Sequence, residues 1–221
     1  MNYLTHKILN SEELEILRKN LEKDSQEWQD GKLTAGKHAA KEKNNLQLRR
    51  DSDLSIKFSG LITKKILSNE LIKSFALPKK IHGTIFSKST SGMKYGRHID
   101  NAYMSSGRAD LSFTVFLNCK KKYEGGALSI QGLNSEEKFK LDAGEIIIYP
   151  STYLHSVEKV IDGERLVFIG WIESYVKSIE EREYLFDLDA AARSLLAKYG
   201  RSEEVDLIYK SYSNFLRRLG N

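Results

Sequence analysis

The sequence predicts a mainly β core with flanking helices, and two patterns carry this prediction. Six short apolar runs lie between residues 81 and 172, and turns that contain glycine separate most of them. Helical spacing of apolar residues precedes residue 78 and returns after residue 176. Successive short strands, without helices alternating between them, indicate a sandwich or barrel. The six predicted strands cover residues 81–86, 111–117, 127–130, 138–141, 145–149 and 165–172.

Helices are expected at both ends of the chain. The first begins at Ser11, which we take as its N-cap, and continues with leucines at positions 14, 17 and 21. A single second helix is expected over residues 53–75. Two further apolar patterns start near residues 176 and 203. We therefore expect a helical support region at 1–77, a β core at 78–175 and a helical extension at 176–221.

Composition limits the classes of protein. With 221 residues, 40% of them hydrophobic, the chain can bury the core of one fair-sized domain. The single cysteine, Cys119, excludes an internal disulfide framework and fits a reducing cytoplasm. No apolar run approaches the roughly 18 residues of a membrane span. The net charge of +5 is modest, so Lys43 and Arg50 read as surface charges that could steer an acidic partner.

A candidate metal site begins with His98 and Asp100. In an extended strand, residues two apart project to the same face, so both side chains could bind one metal ion. The motif alone is weak, because such a pair is more often a hydrogen-bonded surface pair. Support comes from His155, which follows a buried-looking strand and a Pro150 turn and could return to the first pair in a closed sheet. Two imidazoles and one carboxylate are typical of non-haem Fe(II) oxygenases, although zinc hydrolysis could use the same ligands.

Arg165 adds the feature that separates these two chemistries. It lies ten residues after His155, at the start of the next predicted strand. A guanidinium matches the planar geometry of a carboxylate and would suit the distal end of a 2-oxo diacid. An arginine at a strand end is otherwise a salt-bridge residue.

Several stretches together resemble the PKHD-type hydroxylases, which are iron- and 2-oxoglutarate-dependent dioxygenases related to prolyl and lysyl hydroxylases. The resemblance covers nearly the whole chain. The matching stretches are WQDGKLTAG with KNNLQL, GMKYGRHIDNAY, DLSFTVFLN, YEGGALSIQ, KLDAGEIIIYPSTYLHSV, GERLVFIGWIES and LFDLD. The chain departs from the family after Phe86, where Ser87-Lys88-Ser89 replaces an Asn-Arg-Tyr type of stretch.

The resemblance implies a double-stranded β-helix (jelly roll) over the β core, with His98, Asp100 and His155 as Fe(2+) ligands. It also implies that Arg165 binds the 2-oxoglutarate carboxylate and that Tyr95 contacts this cosubstrate. No catalytic side chain is expected beyond the metal ligands. The implied reaction is hydroxylation, with release of succinate and CO2 and with L-ascorbate as reductant.

The substrate is not identified by sequence; a peptidyl proline or another amino-acid side chain is the expectation, and a free amino acid, a siderophore-related molecule or a modified base stays open. Residues 28–47, which include the candidate substrate contact His38, and residues 101–108 are expected to form lids. The C-terminal helices could form a homodimer contact. Two alternatives remain: a cupin-like metal-binding sensor without turnover, and an oxygenase directed at nucleic acid. Trp28 and Trp171 are interpreted as packing residues.

Overall fold

The computed structural model describes residues 3–23, 27–34, 39–132 and 135–221. These residues form two antiparallel sheets, a small hairpin and five α-helices. His38 and the rest of residues 35–38, part of the expected first lid, lie outside the described residues. The helices are α1 (Ser11–Lys23), α2 (Asp53–Ser68), α3 (Glu70–Ala76), α4 (Ile179–Tyr199) and α5 (Glu203–Leu219).

The larger sheet contains the long strands of the chain. Its strands are β1 (Leu4–Lys7), β2 (Trp28–Asp30), β4 (Leu46–Leu48), β5 (Pro78–Thr90), β9 (Leu111–Phe116), β10 (Tyr123–Gly125), β13 (Glu145–Pro150) and β15 (Val160–Ser174). Their order is β1-β13-β9-β15-β5-β4-β2, and β10 pairs with β15 off this path. All these pairings are antiparallel.

The smaller sheet is built from short strands and carries part of the candidate site. In the order β12-β11-β14-β6-β3, its strands are β3 (Lys43–Asn44), β6 (Lys94–His98), β11 (Leu128–Gln131), β12 (Glu136–Phe139) and β14 (His155–Val157). A separate hairpin pairs β7 (Tyr103–Met104) with β8 (Gly107–Arg108), within the stretch expected to form a lid.

The apolar strands of the larger sheet are buried on both faces. Ile146 and Ile148 of β13 join the core formed with α1 and α2, whereas Ile147 and Tyr149 point to the core between the two sheets. This alternation is the period of two expected for a pleated strand. Two-sided burial explains why the run EIIIYP shows no alternation of apolar and polar residues in the sequence. The α1 and α2 helices therefore brace one face of the sheet, and the other face is left for the site.

Two helix predictions need correction. The N-cap of α1 is Asn10 and not Ser11: Asn10 Oδ1 accepts from the Glu13 backbone N–H at 2.9 Å, and Glu13 Oε2 accepts from the Asn10 N–H at 3.0 Å. This is a capping box with asparagine as the cap. The single helix expected over 53–75 is two helices, because Asn69 ends α2 and caps α3 by accepting from the Ile72 N–H at 3.0 Å.

The chain ends contribute to the fold in different ways. Four N-terminal strands that the sequence patterns did not indicate, β1 to β4, join the two sheets. The C-terminal helices α4 and α5 lie as expected and pack on Leu77 and Val176 beside α3. Among the described residues, no helix combines the length and the apolar character that crossing a bilayer requires.

Candidate active site

The structure brings His98, Asp100 and His155 together. Their ligand atoms all lie within 4.8 Å of one another. The reason is strand register: β6 and β14 are adjacent, and His98 is the cross-strand partner of His155. Asp100 follows two residues after His98, where β6 has ended, and its carboxylate lies 3.9 Å from Nε2 of His98 and 3.7 Å from Nε2 of His155.

Hydrogen bonds fix the orientation of both imidazole rings. Nδ1 of His98 donates to the carbonyl of Gly96 at 2.8 Å, and Nδ1 of His155 donates to the carbonyl of Tyr153 at 3.0 Å. With each proton held on Nδ1, each Nε2 offers its lone pair to the cluster. This is the arrangement that proteins use to present histidines to a metal ion.

Burial keeps His98 in a metal-binding protonation state. Removal from water, followed by the neighbouring His155, lowers the pKa of His98 to about 4. A neutral imidazole is the form that binds a metal ion. The donor set of two imidazole nitrogens and a carboxylate therefore fits Fe(II), and it leaves coordination positions open for other ligands.

Two further donors hold the Asp100 carboxylate. Oδ2 accepts from the Ser112 hydroxyl at 2.6 Å and from Nε1 of Trp171 at 2.9 Å. Ser112 also shares a hydrogen bond with the Ser151 hydroxyl at 2.7 Å. Ser112 and Trp171 lie on the larger sheet, so their hydrogen bonds to Asp100 connect the cluster on the smaller sheet to the opposite layer. The interpretation of Trp171 as a packing residue is incomplete, because its indole also donates to this carboxylate.

Arg165 lies in the same cavity and is 3% exposed. Its Nε atom is buried without a hydrogen-bond partner among the described residues, and the Tyr123 hydroxyl lies beside the guanidinium and interacts with it. Burial lowers the pKa of Arg165 below its usual value, and Phe116 packs with its ring centroid 5.6 Å from the guanidinium carbon. A buried donor without an acceptor costs free energy, so the Arg165 guanidinium fits an acceptor such as a carboxylate of 2-oxoglutarate.

Gly126 permits the close approach of this arginine. Its φ is +64°, and a Cβ at this position would lie 3.2 Å from Cδ of Arg165 and 3.0 Å from Val160. Only glycine adopts this backbone conformation without strain. The glycine pair of the YEGGALSIQ motif therefore serves the arginine pocket as well as the turn.

A cavity of about 690 Å³ contains both Arg165 and the cluster of His98, Asp100 and His155. Tyr95 lines it and stacks on His98 with ring centroids 3.7 Å apart. Burial, with a contribution from Asp100, raises the pKa of Tyr95 to about 12, so its hydroxyl stays protonated and can donate. The cavity wall also contains residues from both expected lids, including Thr34, Asn45 and Gln47 from the first and Met104 from the second.

Sequence reasoning missed several polar residues of the cavity. Lys43 is not a surface charge, because it is 6% exposed and lines the cavity. Gln47 and Ser112 of the cavity were not singled out, and neither was Tyr123, which lies beside Arg165 but not in the cavity wall. A usable signal existed for Lys43 and Gln47, since polar residues at alternate positions of KNNLQL would share one face of an extended segment. Nothing local indicated Tyr123, whose position beside Arg165 results from the pairing of β10 with β15.

The comparisons with known proteins agree with this geometry. Residues 84–173 match the 2OG-Fe(II) oxygenase superfamily, a segment that contains the whole His98, Asp100 and His155 cluster. Residues 180–220 match the PKHD-type hydroxylase C-terminal domain and correspond to α4 and α5. The protein is therefore a 2-oxoglutarate-dependent dioxygenase.

The chain belongs to the PKHD-type hydroxylases. It is 73% identical over 220 residues to a PKHD-type hydroxylase of Prochlorococcus marinus strain MIT 9215, with 100% of both chains covered. It is 69% identical over 221 residues to one of strain MIT 9515, again with 100% of both covered. The predicted family is confirmed by these relatives.

Solved structures confirm the predicted fold. A prolyl-4-hydroxylase from Pseudomonas putida superposes with a TM-score of 0.57 at 17% identity, covering 78% of this chain and 92% of the other. A prolyl hydroxylase from Trichoplax adhaerens, in complex with a hypoxia inducible factor peptide fragment, gives a TM-score of 0.56 at 17% identity, covering 83% and 86%. The fold is the double-stranded β-helix of 2-oxoglutarate oxygenases.

Proposed function

We propose that this hydroxylase uses His98, Asp100 and His155 to hold Fe(2+) and that it acts on an amino-acid side chain. The convergence of these three side chains within 4.8 Å, in one cavity with buried Arg165, carries the proposal. Iron and 2-oxoglutarate, when bound, supply the oxidising power for hydroxylation and yield succinate and CO2. The chain itself binds and orients these groups and the substrate and shields them from water. No catalytic side chain beyond the metal ligands is proposed.

Arg165 and Tyr95 bind 2-oxoglutarate in this proposal. Arg165 lines the cavity with its Nε buried and without a partner among the described residues, and it supplies the positive charge for the distal carboxylate. Tyr95 lies against His98, so its hydroxyl contacts the cosubstrate near the metal.

The proposed substrate is a peptidyl proline or another amino-acid side chain. The names of the two structural relatives, a prolyl-4-hydroxylase and a prolyl hydroxylase with a peptide, support this class. The hairpin of β7 and β8, together with Thr34 and residues 43–47, borders the cavity and serves as its lids. Tyr103 at the hairpin is 74% exposed and available to a substrate that approaches from outside.

L-ascorbate is the proposed reductant, and the cytoplasm is the proposed compartment. The single cysteine, which is free, supports a reducing environment. Ascorbate follows from the resemblance alone and is tested by its effect on the number of turnovers before inactivation.

We also propose the three-part division into residues 1–77, 78–175 and 176–221, with a homodimer contact on the last part. Exposed apolar side chains on α4 and α5, among them Leu196, Leu207 and Phe215, support such a contact. Light scattering of wild type and of Leu207→Ser with Phe215→Ser measures it. A monomeric mass for the wild-type protein would contradict the dimer.

Succinate release tests the proposed function. Pure protein is incubated with Fe(II), 2-oxoglutarate and ascorbate, and succinate is measured without a prime substrate. Wild type is expected to show slow uncoupled turnover, His98→Ala to show none, and Arg165→Ala to raise the KM for 2-oxoglutarate at least about tenfold, since it removes a charged bidentate partner. Arg97→Ala is the matched control, because Arg97 adjoins His98 but is exposed and lies 3.9 Å from Glu136.

The alternatives predict different results in the same experiment. Metal binding without cosubstrate binding or succinate would favour the cupin-like sensor. Oligonucleotide binding that falls steeply with salt would favour an oxygenase directed at nucleic acid.

A further inference from the structure

The segment that contains β3 and β4 links the two sheets along one wall of the cavity. Lys43 pairs with Tyr95 of the smaller sheet, whereas Gln47 pairs with Ser87 of the larger sheet. Alternate side chains of an extended segment share a face, and Lys43, Asn45 and Gln47 all line the cavity. A polar wall therefore faces the space beside the metal cluster.

This wall presents hydrogen-bond donors to the cavity. Nζ of Lys43 donates to Oγ1 of Thr34 at 3.2 Å, and that hydroxyl donates to Oε1 of Gln47 at 2.5 Å. Because Thr34 occupies the amide oxygen, Gln47 is left with its Nε2 donor, which is buried without a partner among the described residues. The buried Gln47 amide therefore needs an acceptor, and the Lys43 ammonium has protons left to donate to the same acceptor.

The positive charge of Lys43 has no carboxylate in contact among the described residues, although Asp100 and Asp30 act on it from farther away. In the described part of the chain no carboxylate lies within 4 Å of its Nζ; the ammonium instead lies 5.1 Å from the centroid of the Tyr95 ring. Burial, followed by Arg50, lowers the pKa of Lys43 to about 8. A buried cation without a carboxylate in contact is costly, so the place of Lys43 in a cavity wall points to an anionic ligand that pairs with it.

Iron and 2-oxoglutarate do not supply that compensation. Asp100 is the one acidic residue among the described residues that line the cavity. The charges of a divalent iron and of Arg165 are balanced by Asp100 and by the two carboxylates of the cosubstrate. The positive charge of Lys43 then has no negative counterpart among these groups. Arg50, which also lines the cavity, adds a second positive charge.

Resting on the proposed function, we infer that the prime substrate carries a carboxylate and that Lys43 and Gln47 bind it. Lys43 supplies the charge, and the Gln47 amide donates a hydrogen bond. The cavity of about 690 Å³ falls in the range of sites that hold drug-sized ligands, which leaves room for a small acid beside the cosubstrate. The substrate class is therefore an amino acid, or a peptide segment, with a free carboxylate near the hydroxylated carbon.

The test uses Mn(II)-loaded protein saturated with N-oxalylglycine, a 2-oxoglutarate analogue. N-acetylglycine is the probe, and its uncharged amide, N-acetylglycinamide, is the matched ligand. Paramagnetic broadening of the acetyl methyl signal measures binding near the metal. We expect the acid to bind at least tenfold more tightly than the amide, and Lys43→Met to remove this preference.

Matched variants separate a local contact from general electrostatics. Lys94→Met removes the same charge from the exposed neighbour of Tyr95 on β6 and should leave the preference intact. Lys43→Arg should retain most of the preference, and Gln47→Leu should weaken acid binding severalfold. Equal binding of acid and amide, or an unchanged preference in Lys43→Met, would overturn the inference.

The result also distinguishes the two levels of the proposal. If Lys43→Met loses N-oxalylglycine affinity while wild type keeps it, these donors belong to the cosubstrate and the substrate inference fails alone. If wild type does not bind N-oxalylglycine, the proposed function fails and the inference fails with it.

Discussion

At the scale of single residues, the hydrogen bonds to Asp100 should determine metal affinity. Ser112 and Trp171 both donate to the same carboxylate oxygen. We expect Ser112→Ala and Trp171→Phe each to weaken Mn(II) binding by about 10- to 100-fold, as is typical for groups that orient metal ligands. Calorimetric titration measures the affinity. Trp28→Phe is the control, and an unchanged affinity in both site variants would contradict this role.

Lys43 should make the ligand-free protein less stable. Its folded-state pKa of about 8 lies below the ordinary 10.5, so folding disfavours the protonated form. The destabilisation is fully present below pH 8 and disappears as pH approaches 10.5. We expect Lys43→Met to raise the melting temperature at pH 7 and to lose this advantage near pH 10. A lower melting temperature at pH 7 would show that the ammonium is compensated within the protein.

The same group sets the pH dependence of acid binding. Binding requires protonated Lys43, and the charged groups near it are Arg50, Asp30 and Asp100. Affinity for N-acetylglycine should therefore fall as pH rises through about 8, whereas Lys43→Arg should show no such fall, because arginine keeps its charge. Titrations of both proteins with N-acetylglycine between about pH 6.5 and 9.5 measure this pH dependence. Parallel curves for the two proteins would contradict the assignment.

At the scale of elements, the start of α1 gives a stability prediction. Asn10 and Glu13 form reciprocal hydrogen bonds, and Glu13 also forms a 2.5 Å ion pair with Lys65 of α2. We expect Asn10→Ala to lower the free energy of unfolding by about 1 kcal/mol and Ser11→Ala to change it by less than about 0.5 kcal/mol. Urea denaturation measures both. Equal effects would restore Ser11 as the cap.

The element predictions succeeded where the pattern was local. The six runs between residues 81 and 172 correspond to real strands because their apolar side chains are buried on the larger sheet and between the sheets. Helix ends were less predictable, since Asn10 and Ser11 are both good caps and only the side-chain geometry distinguishes them. Asn69 shows no break in apolar spacing, so its double capping role was invisible.

Short strands were hidden for a different reason. Residues His155–Val157 and Lys43–Asn44 are too few to establish a period, and their pairing with β6 is a contact between distant parts of the chain. Residue type and spacing were therefore enough to predict His98, Asp100, His155 and Arg165 as site residues. It could not show that β3 and β4 place polar side chains in the same cavity.

At the scale of the whole molecule, the C-terminal helices should stabilise the fold without shaping the site. Leu185 of α4 is 1% exposed and packs in a cluster with Leu77 and Val176. We expect Leu185→Ala to cost about 2–5 kcal/mol of stability and to leave Mn(II) and N-oxalylglycine affinities unchanged. Thermal unfolding and calorimetry measure the two quantities. Leu196→Ala, at a 40% exposed position, is the control and should cost much less.

An equal loss of stability in Leu185→Ala and Leu196→Ala would contradict a buried cluster around Leu185. A loss of ligand affinity in Leu185→Ala would show that the C-terminal helices are coupled to the cavity. The extension itself was predictable, because long amphipathic helices carry their own signal. Its contact with α3 was not predictable. In that contact the Ser74 hydroxyl donates to the Asp189 carboxylate at 2.5 Å, and the two residues are 115 positions apart in the sequence.

The hydrogen bond from Trp171 to Asp100 gives the protein a built-in optical reporter. Indole emission responds to the charge near its ring, so a cation that draws electron density from the carboxylate should change the fluorescence of this residue. The chain has two tryptophans, and replacing Trp28 with phenylalanine would leave Trp171 as the sole emitter. Metal loading could then be followed in real time, without a label, by the side chain that holds the ligand in place.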